Sequence, residues 1–118
     1  MKTLIIGASS NPERYSYLAL NRLRKFNHEV VAIGNRVAKV ADVDIQKGLP
    51  ALTAIDTVTL YLNPTNQIPY YDYLLQLKPR RVIFNPGTEN IELEKKLQEN
   101  NIETIEACTL VMLSTGQF

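Results

Sequence analysis

At 118 residues and 45% hydrophobic composition, the chain has the length of one domain and enough apolar residues for a buried core. Thirteen basic and twelve acidic residues give a formal net charge of +1, which argues against partners that require a broad basic surface, namely nucleic acids and anionic membranes. Cys108 is the only cysteine and His28 the only histidine, which excludes an intramolecular disulfide and a cysteine-rich or histidine-rich metal site. We therefore expect a single cytoplasmic domain over residues 1–118, because no segment has the composition of a signal peptide or of a membrane span.

The beginning of the chain predicts a strand, a helix and a second strand. Thr3–Ile6 is a β-branched run too short for a helix, and its apolar composition is typical of a central strand covered on both faces. Asn11 is a favourable N-cap, and apolar residues then recur at helical spacing, so we predict a helix from about Pro12 to Phe26. Glu29–Ile33 follows as the second strand. Together these elements take about 30 residues, the length of a right-handed parallel crossover.

The rest of the chain continues this alternation. Residues 36–54 have the weakest pattern and fit a shortened crossover with an extended piece around Val40 to Ile45. Clusters of β-branched and apolar residues predict the third, fourth and fifth strands, which are Thr57–Leu62, Arg81–Phe84 and Ile102–Ile105. Helical spacing predicts two more helices, Ile68–Leu77 and Ile91–Asn100, and Thr109 is placed to cap a last one.

Strands that alternate with helices predict an α/β fold. We expect a three-layer, Rossmann-like, doubly wound parallel sheet of about five strands in the order 3-2-1-4-5. Ligands of such sheets bind outside the carboxyl ends of the strands where the strand order reverses, here between the first and fourth strands. The loops that leave these ends are rich in Gly, Asn, Pro and hydroxyl side chains, which suit a phosphorylated, sugar-bearing ligand. They are Gly7–Pro12, Gly34–Arg36, Asn63–Asn66 and Asn85–Glu89.

The first loop joins a buried strand to the N-terminus of a helix, where unpaired N–H groups and the helix dipole favour an anion such as pyrophosphate. It has one glycine, Gly7, where the dinucleotide fingerprint G-x-G-x-x-G has three, and no segment matches the triphosphate motif G-x-x-x-x-G-K-[ST]. Arg14, in the first turn of the predicted helix, either reaches the same phosphates or is a surface charge of an amphipathic helix. A structural alternative stays open, in which Gly7 only permits a tight turn and Asn11-Pro12 only caps the helix.

The second loop distinguishes between classes of nucleotide. An NAD-binding unit places Asp or Glu at the end of the second strand to accept the ribose hydroxyls, whereas this chain has Gly34-Asn35-Arg36. A guanidinium at this position indicates an extra ribose phosphate, as in NADP or in the 3′-phospho-ADP moiety of coenzyme A. The alternative is that Arg36 is a solvated loop residue.

Few side chains near these loops suit catalysis. His28 precedes the second strand, which puts it at the opposite end of the sheet from the crevice. Glu89 either contacts a ligand or favours the dipole of the next helix, and Cys108 is either a reactive thiol or a small buried side chain. Three tyrosines at partly helical spacing are interpreted as core residues and as a candidate dimer surface: Tyr70, Tyr71 and Tyr73.

Three segments together resemble the small, stand-alone CoA-binding domain proteins of bacteria. They are Gly7–Ser16, with the pattern G-A-S-x-N-P, then Val58–Pro64 and Phe84–Asn90. The resemblance spans nearly the whole chain. This family is similar to the CoA-binding domain of succinyl-CoA synthetase alpha subunits, whose reaction also needs a phosphorylated histidine on a further domain. The resemblance therefore implies CoA binding and a Rossmann-like fold, but not synthetase activity.

The resemblance also implies the binding residues. Those for the phosphates are Gly7, Ala8, Ser9, Asn11, Pro12 and Arg14, and those for the adenosine end are Gly34, Asn35 and Arg36. Asn63 and Pro64 would border the adenine or ribose, and the far side of the crevice would be formed by Asn85, Pro86, Gly87 and Thr88.

The leading hypothesis is a non-catalytic binding module for coenzyme A or an acyl-CoA, acting on its own or for a protein partner. One alternative is a small enzyme, either an NADP-dependent reductase or an acyl-CoA-using transferase with Cys108 as its thiol. Another is an assembly domain that binds no nucleotide.

Overall fold

Strands and helices alternate along residues 1–118, all of which the computed structural model describes. The seven strands are β1 (Lys2–Ala8), β2 (Glu29–Gly34), β3 (Ala38–Val40), β4 (Val43–Gln46), β5 (Ile55–Leu60), β6 (Arg81–Phe84) and β7 (Glu103–Glu106). The five α-helices are α1 (Tyr15–Lys25), α2 (Pro64–Gln67), α3 (Tyr71–Leu77), α4 (Ile91–Glu99) and α5 (Thr109–Ser114). None of the helices has the length and apolar composition of a membrane span.

All seven strands form one sheet in the order β3-β4-β2-β1-β5-β6-β7. Every neighbouring pair is parallel except β3 and β4, which are antiparallel. The predicted Rossmann-like α/β class is therefore confirmed, while the strand count and the order 3-2-1-4-5 are wrong in detail. The third predicted strand is β5, and it pairs with β1 rather than lying at the far edge beyond β2.

The hairpin of β3 and β4 explains this difference. It replaces the predicted shortened crossover, and β4 takes the position beside β2 that the third strand was expected to fill. Its burial alternates, with Val40, Val43 and Ile45 buried and Asp44 exposed, as in a strand pair with one covered face. Because the position beside β2 is filled, the order of the sheet reverses between β1 and β5, not between the first and fourth strands.

Three helix boundaries also differ from the prediction. The helix α1 begins at Tyr15 rather than Pro12, because residues 11–14 form a turn in which Arg14 N–H donates to the Asn11 carbonyl at 3.0 Å. The predicted helix over residues 68–77 is divided into a 3₁₀ turn, Ile68–Tyr70, and α3. Cys108 occupies the N-cap position of α5, so Thr109 is its first residue and not its cap.

The sheet has a hydrophobic core on each face, as a three-layer fold requires. The larger core lies against α3 and α4 and includes Leu4, Ile6, Leu60, Leu74, Phe84, Leu93 and Leu97. The smaller one lies against α1 and α5 and includes Ile5, Leu20, Leu23, Ala32, Ile45 and Leu113. Leu4, Ile5 and Ile6 of β1 point alternately to the two cores, which explains why all three are apolar.

Candidate functional site

The carboxyl ends of β2, β1 and β5 meet through two glycines. Gly7 has a φ of +96°, and a Cβ atom at this position would lie 2.9 Å from the carbonyl carbon of Tyr61. A Cβ atom on Gly34 would overlap the carbonyl oxygen of Ala8. Both positions therefore need glycine. Main-chain atoms of these three strands pack directly on one another at the switch point, the place between β1 and β5 where the strand order reverses.

The first loop holds its shape through its own polar side chains. Ser9 Oγ accepts a hydrogen bond from Asn11 N–H at 3.0 Å, and Asn11 Oδ1 accepts one from Glu13 N–H at 3.0 Å. Asn11 is thus a loop-forming residue, and it does not cap α1. No side chain caps α1 and its first turn contains no acidic residue. Tyr17 and Leu18 N–H already donate to the Arg14 carbonyl, so the N–H groups left open to an anion are the first two of this 11-residue helix, those of Tyr15 and Ser16.

Two exposed arginines without a partner lie at the carboxyl ends of the parallel strands, which we call the carboxyl edge. Arg14 directly precedes α1, and Arg36 follows β2 by two residues. Neither side chain forms an ion pair or a hydrogen bond, although three other basic side chains of the molecule form ion pairs. The carboxyl edge therefore has two guanidinium groups free to bind an anion.

The third loop contains the predicted pair Asn63 and Pro64. Asn63 caps α2 by accepting a hydrogen bond from Asn66 N–H at 2.9 Å, and Pro64 is the first residue of that helix. Both residues are exposed. The Asn63 oxygen is already occupied, which leaves its amide N–H₂ free for a ligand.

The fourth loop places the predicted residues at two depths. Pro86 and Gly87 are exposed, whereas Asn85 and Thr88 are buried. The Thr88 hydroxyl donates to the Asn85 carbonyl at 2.7 Å. Gly87 N–H donates to a carboxylate oxygen of Glu89 at 2.9 Å, so Glu89 stabilises its own loop.

Asn85 belongs to a buried polar hub formed with Thr59 and Thr109. Its amide nitrogen donates to Thr59 Oγ1 at 2.7 Å and to the Leu60 carbonyl at 2.8 Å, and its amide oxygen accepts from Thr109 N–H at 2.8 Å. The two threonine hydroxyls lie 2.8 Å apart. The Asn85 side chain therefore ties β5, β6 and α5 together beneath the loops, with its amide groups occupied by the protein.

Tyr61 is a residue at this edge that the motifs did not reveal. It directly follows β5, and its hydroxyl is buried near Thr59 and Thr109 without a well-formed hydrogen bond. Burial raises the pKa of this hydroxyl to about 12, and the threonine hydroxyls offset the effect only in part. The sequence signal for this contact is the glycine at position 7, because a residue without a Cβ atom allows the end of a neighbouring strand to lie against the first loop.

The remaining candidates lie away from these loops or form no site. His28 lies at the amino edge, as predicted, with its ring centroid 5.0 Å from that of Phe118, and burial lowers its pKa. Cys108 is half-buried, and no group of three or more His, Cys, Asp or Glu side chains is placed to hold a metal ion.

Tyr73 is buried in the larger core, with Tyr70 and Tyr71 packed against that core. A dimer surface at these tyrosines remains a prediction.

A cavity of about 490 Å³ lies elsewhere, between the segment Leu49–Leu52 and α3. None of the predicted binding residues lines it. The candidate site is therefore the open edge formed by the four loops and not this cavity.

A family model described as a CoA binding domain matches residues 1–114. A crystal structure of an uncharacterized protein is 53% identical, with a TM-score of 0.96 over 99% of this chain and 97% of that chain. A protein from Thermus thermophilus is 20% identical, with a TM-score of 0.86 over 99% of this chain and 90% of that one. No curated protein matches the chain.

The fold also occurs within a larger enzyme. A dinucleotide-forming acetyl-coenzyme A synthetase from Ca. Korarchaeum cryptofilum, in complex with phosphate and ADP, is 14% identical with a TM-score of 0.72. The match covers 90% of this chain and 25% of that chain. At this identity the likeness is one of fold.

Proposed function

The chain belongs to the family of CoA-binding domains, and from this premise we propose that it is a cytoplasmic module that binds coenzyme A or an acyl-CoA through the 3′-phospho-ADP moiety. The observation that carries the proposal is the uncapped N-terminus of α1 beside the unpaired side chain of Arg14. Unpaired N–H groups at a helix N-terminus and a nearby guanidinium are a favourable combination for a pyrophosphate.

The first loop binds the pyrophosphate in this proposal. The main chain at Gly7 and Ala8 forms the base of this loop, and the missing side chain of Gly7 lets the loop lie directly against the main chain of Tyr61. Ser9, Asn11 and Pro12 hold the loop open, as the hydrogen bonds within it support.

The second loop binds the adenosine end. Gly34 lies against Ala8 and brings Asn35 and Arg36 next to the first loop. Arg36 is exposed and unpaired, so its planar fork is available to the 3′-phosphate of coenzyme A. Asn35 stands where an NAD-binding unit has an acid, which removes the repulsion that such an acid would exert on that phosphate.

The pantetheine arm then runs across the carboxyl ends of β5 and β6. Of the predicted binding residues in these two loops, the exposed ones are Asn63, Pro64, Pro86 and Gly87. We assign Asn63 and Pro64 to the arm rather than to the adenine or ribose that the resemblance implies. Asn85 and Thr88 support these loops from below rather than contacting the arm with their side chains. Because the four exposed binding residues are an asparagine, two prolines and a glycine, they are suited to binding without proton transfer.

The experiment is native mass spectrometry of the purified protein, followed by calorimetric titration with CoA, acetyl-CoA and NADP. We expect a co-purifying or titratable CoA species and no comparable affinity for NADP. At about 100 times the dissociation constant, CoA should add about 2.7 kcal/mol to the free energy of unfolding.

A matched pair of variants localises the effect. Arg14→Ala should weaken CoA binding, whereas Arg22→Ala, an exposed arginine near the other end of α1, should not. Binding of NADP but not CoA would favour the reductase hypothesis, and binding of neither would contradict a nucleotide site.

A further inference from the structure

Gln67, the last residue of α2, is a buried polar side chain that the CoA-binding motifs do not include. It is 1% exposed. Its amide nitrogen donates to the Leu62 carbonyl at 2.8 Å and to the Thr88 carbonyl at 2.7 Å. Its amide oxygen accepts from the Asn90 side chain at 2.9 Å. A buried amide with all of these bonds formed is held in one orientation.

Asn90 extends this connection into the second half of the chain. Its amide nitrogen also donates to the Tyr71 hydroxyl at 2.9 Å, and its oxygen caps α4 by accepting from Leu93 N–H at 3.1 Å. Gln67 and Asn90 therefore link the loop after β5, the loop after β6, α3 and α4.

The main chain of the two loops does not provide this link. The backbone hydrogen bonds of each loop are local, as in Gln67 N–H to the Asn63 carbonyl and Thr88 N–H to the Asn85 carbonyl. The side-chain amide of Gln67 instead links the two loops directly, because it bonds to main-chain atoms of both.

We propose that Gln67 is a positioning residue for the pantetheine arm of coenzyme A. This rests on the proposed function. In a doubly wound sheet the adenosine half lies over β1 and β2, so the other half of the ligand extends over the next strands, β5 and β6. The loops that Gln67 holds together are the two that leave those strands, whereas the phosphate loop and Arg36 lie on the other side of the switch point.

A positioning role and a purely structural role of Gln67 predict different effects on ligand affinity. If Gln67 only stabilised the fold, its loss would weaken all ligands alike or none of them. If it fixes the spacing of the two loops, its loss should weaken coenzyme A and leave unchanged a ligand without the pantetheine arm. Preorganised loops increase affinity because less conformational freedom is lost on binding.

The test measures dissociation constants of CoA and of adenosine 3′,5′-bisphosphate by calorimetry for the full chain and for Gln67→Met. We expect CoA to bind about tenfold more weakly to the variant, with the bisphosphate unchanged within about twofold. Gln98→Met is the matched control, since Gln98 is an exposed glutamine on α4 with one side-chain bond, to Thr104. It should leave both affinities unchanged.

If Gln67→Met does not fold, a second variant tests the same inference. Asn90→Ser retains a hydroxyl that can cap α4 and removes the amide donor to Gln67, so it should weaken CoA selectively in the same way. Equal losses for both ligands, or no loss for either, would overturn the positioning role. Failure of the unaltered protein to bind CoA would instead overturn the proposed function and this inference with it.

Discussion

The amino ends and the carboxyl ends of the parallel strands, here called the amino edge and the carboxyl edge, differ in whether their charged side chains have partners. At the amino edge Arg24 binds Asp42 at 2.7 Å and Arg80 binds Asp56 at 2.9 Å, and Lys2 lies 3.9 Å from Glu29. At the carboxyl edge Arg14 and Arg36 have no partner. All the ion pairs of the molecule thus lie at one edge, and the unpaired arginines that border the crevice lie at the other.

The buried arginine of the amino edge fits the same picture. Arg81 donates to the Thr57 hydroxyl at 2.9 Å, and its guanidinium carbon lies 4.7 Å from the centroid of the Phe118 ring. Four cations at the amino edge are bound within the chain, namely Lys2, Arg24, Arg80 and Arg81. At the carboxyl edge, Arg14, Arg36 and the first N–H groups of α1 have no partner in the chain. The difference teaches that an arginine by itself does not indicate a binding site, whereas an arginine without a partner beside an open helix N-terminus marks a candidate site.

The largest effect should come from the polar hub below the carboxyl edge. Asn85→Ala leaves the Thr109 N–H and the Leu60 carbonyl without their partner in a buried place, and we expect a loss of about 3 kcal/mol in the free energy of unfolding. Denaturant titration measures it. The control is Asn100→Ala, which removes one exposed bond. Equal stability of the two variants would mean that Asn85 does not hold the edge together.

The next effect concerns the glycine contacts between strand ends. Gly34→Ala introduces a Cβ against the Ala8 carbonyl oxygen, and we expect about 2 kcal/mol of destabilisation together with weaker CoA binding. Gly48→Ala is a fitting control because nothing lies within 4 Å of its added Cβ, so that only its φ of +77° opposes the change. A Gly34→Ala protein as stable as the parent would argue against the close approach of β2 and β1.

Replacing one arginine at each edge compares the two edges directly. Arg14→Ala should leave the free energy of unfolding within about 0.5 kcal/mol and weaken CoA about tenfold or more, because it removes a charge-assisted contact. Arg80→Ala should reduce stability slightly and leave CoA affinity unchanged. Thermal unfolding with and without CoA measures both, and the comparison fails if Arg80→Ala weakens CoA as much as Arg14→Ala does.

The smallest effect is a pH dependence from the amino edge. Hydrogen bonds from Arg80 hold the pKa of Asp56 below its ordinary value of 3.8. A carboxyl with a lowered folded-state pKa contributes stability at higher pH, and this contribution is lost as the pH falls from 3.8 through the folded value. Asp56→Asn should therefore flatten the acid limb of stability against pH, and Asp72→Asn, whose carboxylate forms no ion pair, should not.

The fold class could be predicted because the alternation of strands and helices is a property of local sequence. The strand order could not, because it depended on residues 36–54. The turn of the hairpin there includes Ala41 at a φ of +54° rather than a glycine or asparagine, so the usual turn signal is missing. Without that signal, the hairpin reads as one short extended piece, and the position beside β2 is assigned to the wrong strand.

The candidate site could be predicted as a set of loops but not as a set of contacts. Gly7 and Gly34 lie where the motif and the strand pattern placed them. Asn85 lies at a strand end too, yet its amide turns inward, and an asparagine at such a position looks the same in sequence whether it faces a ligand or the core. Gln67 was missed because two of its three side-chain bonds, to Thr88 and Asn90, reach residues that are 21 and 23 positions away along the chain.

The central claim is that the unpaired Arg36 recognises the 3′-phosphate of coenzyme A. Calorimetric titration of the protein with CoA and with dephospho-CoA tests it most directly, since these ligands differ only in that phosphate. We expect CoA to bind more tightly by about 1.5 to 3 kcal/mol, and Arg36→Ala to remove most of the difference. Equal affinity of the unaltered protein for the two ligands would contradict the claim.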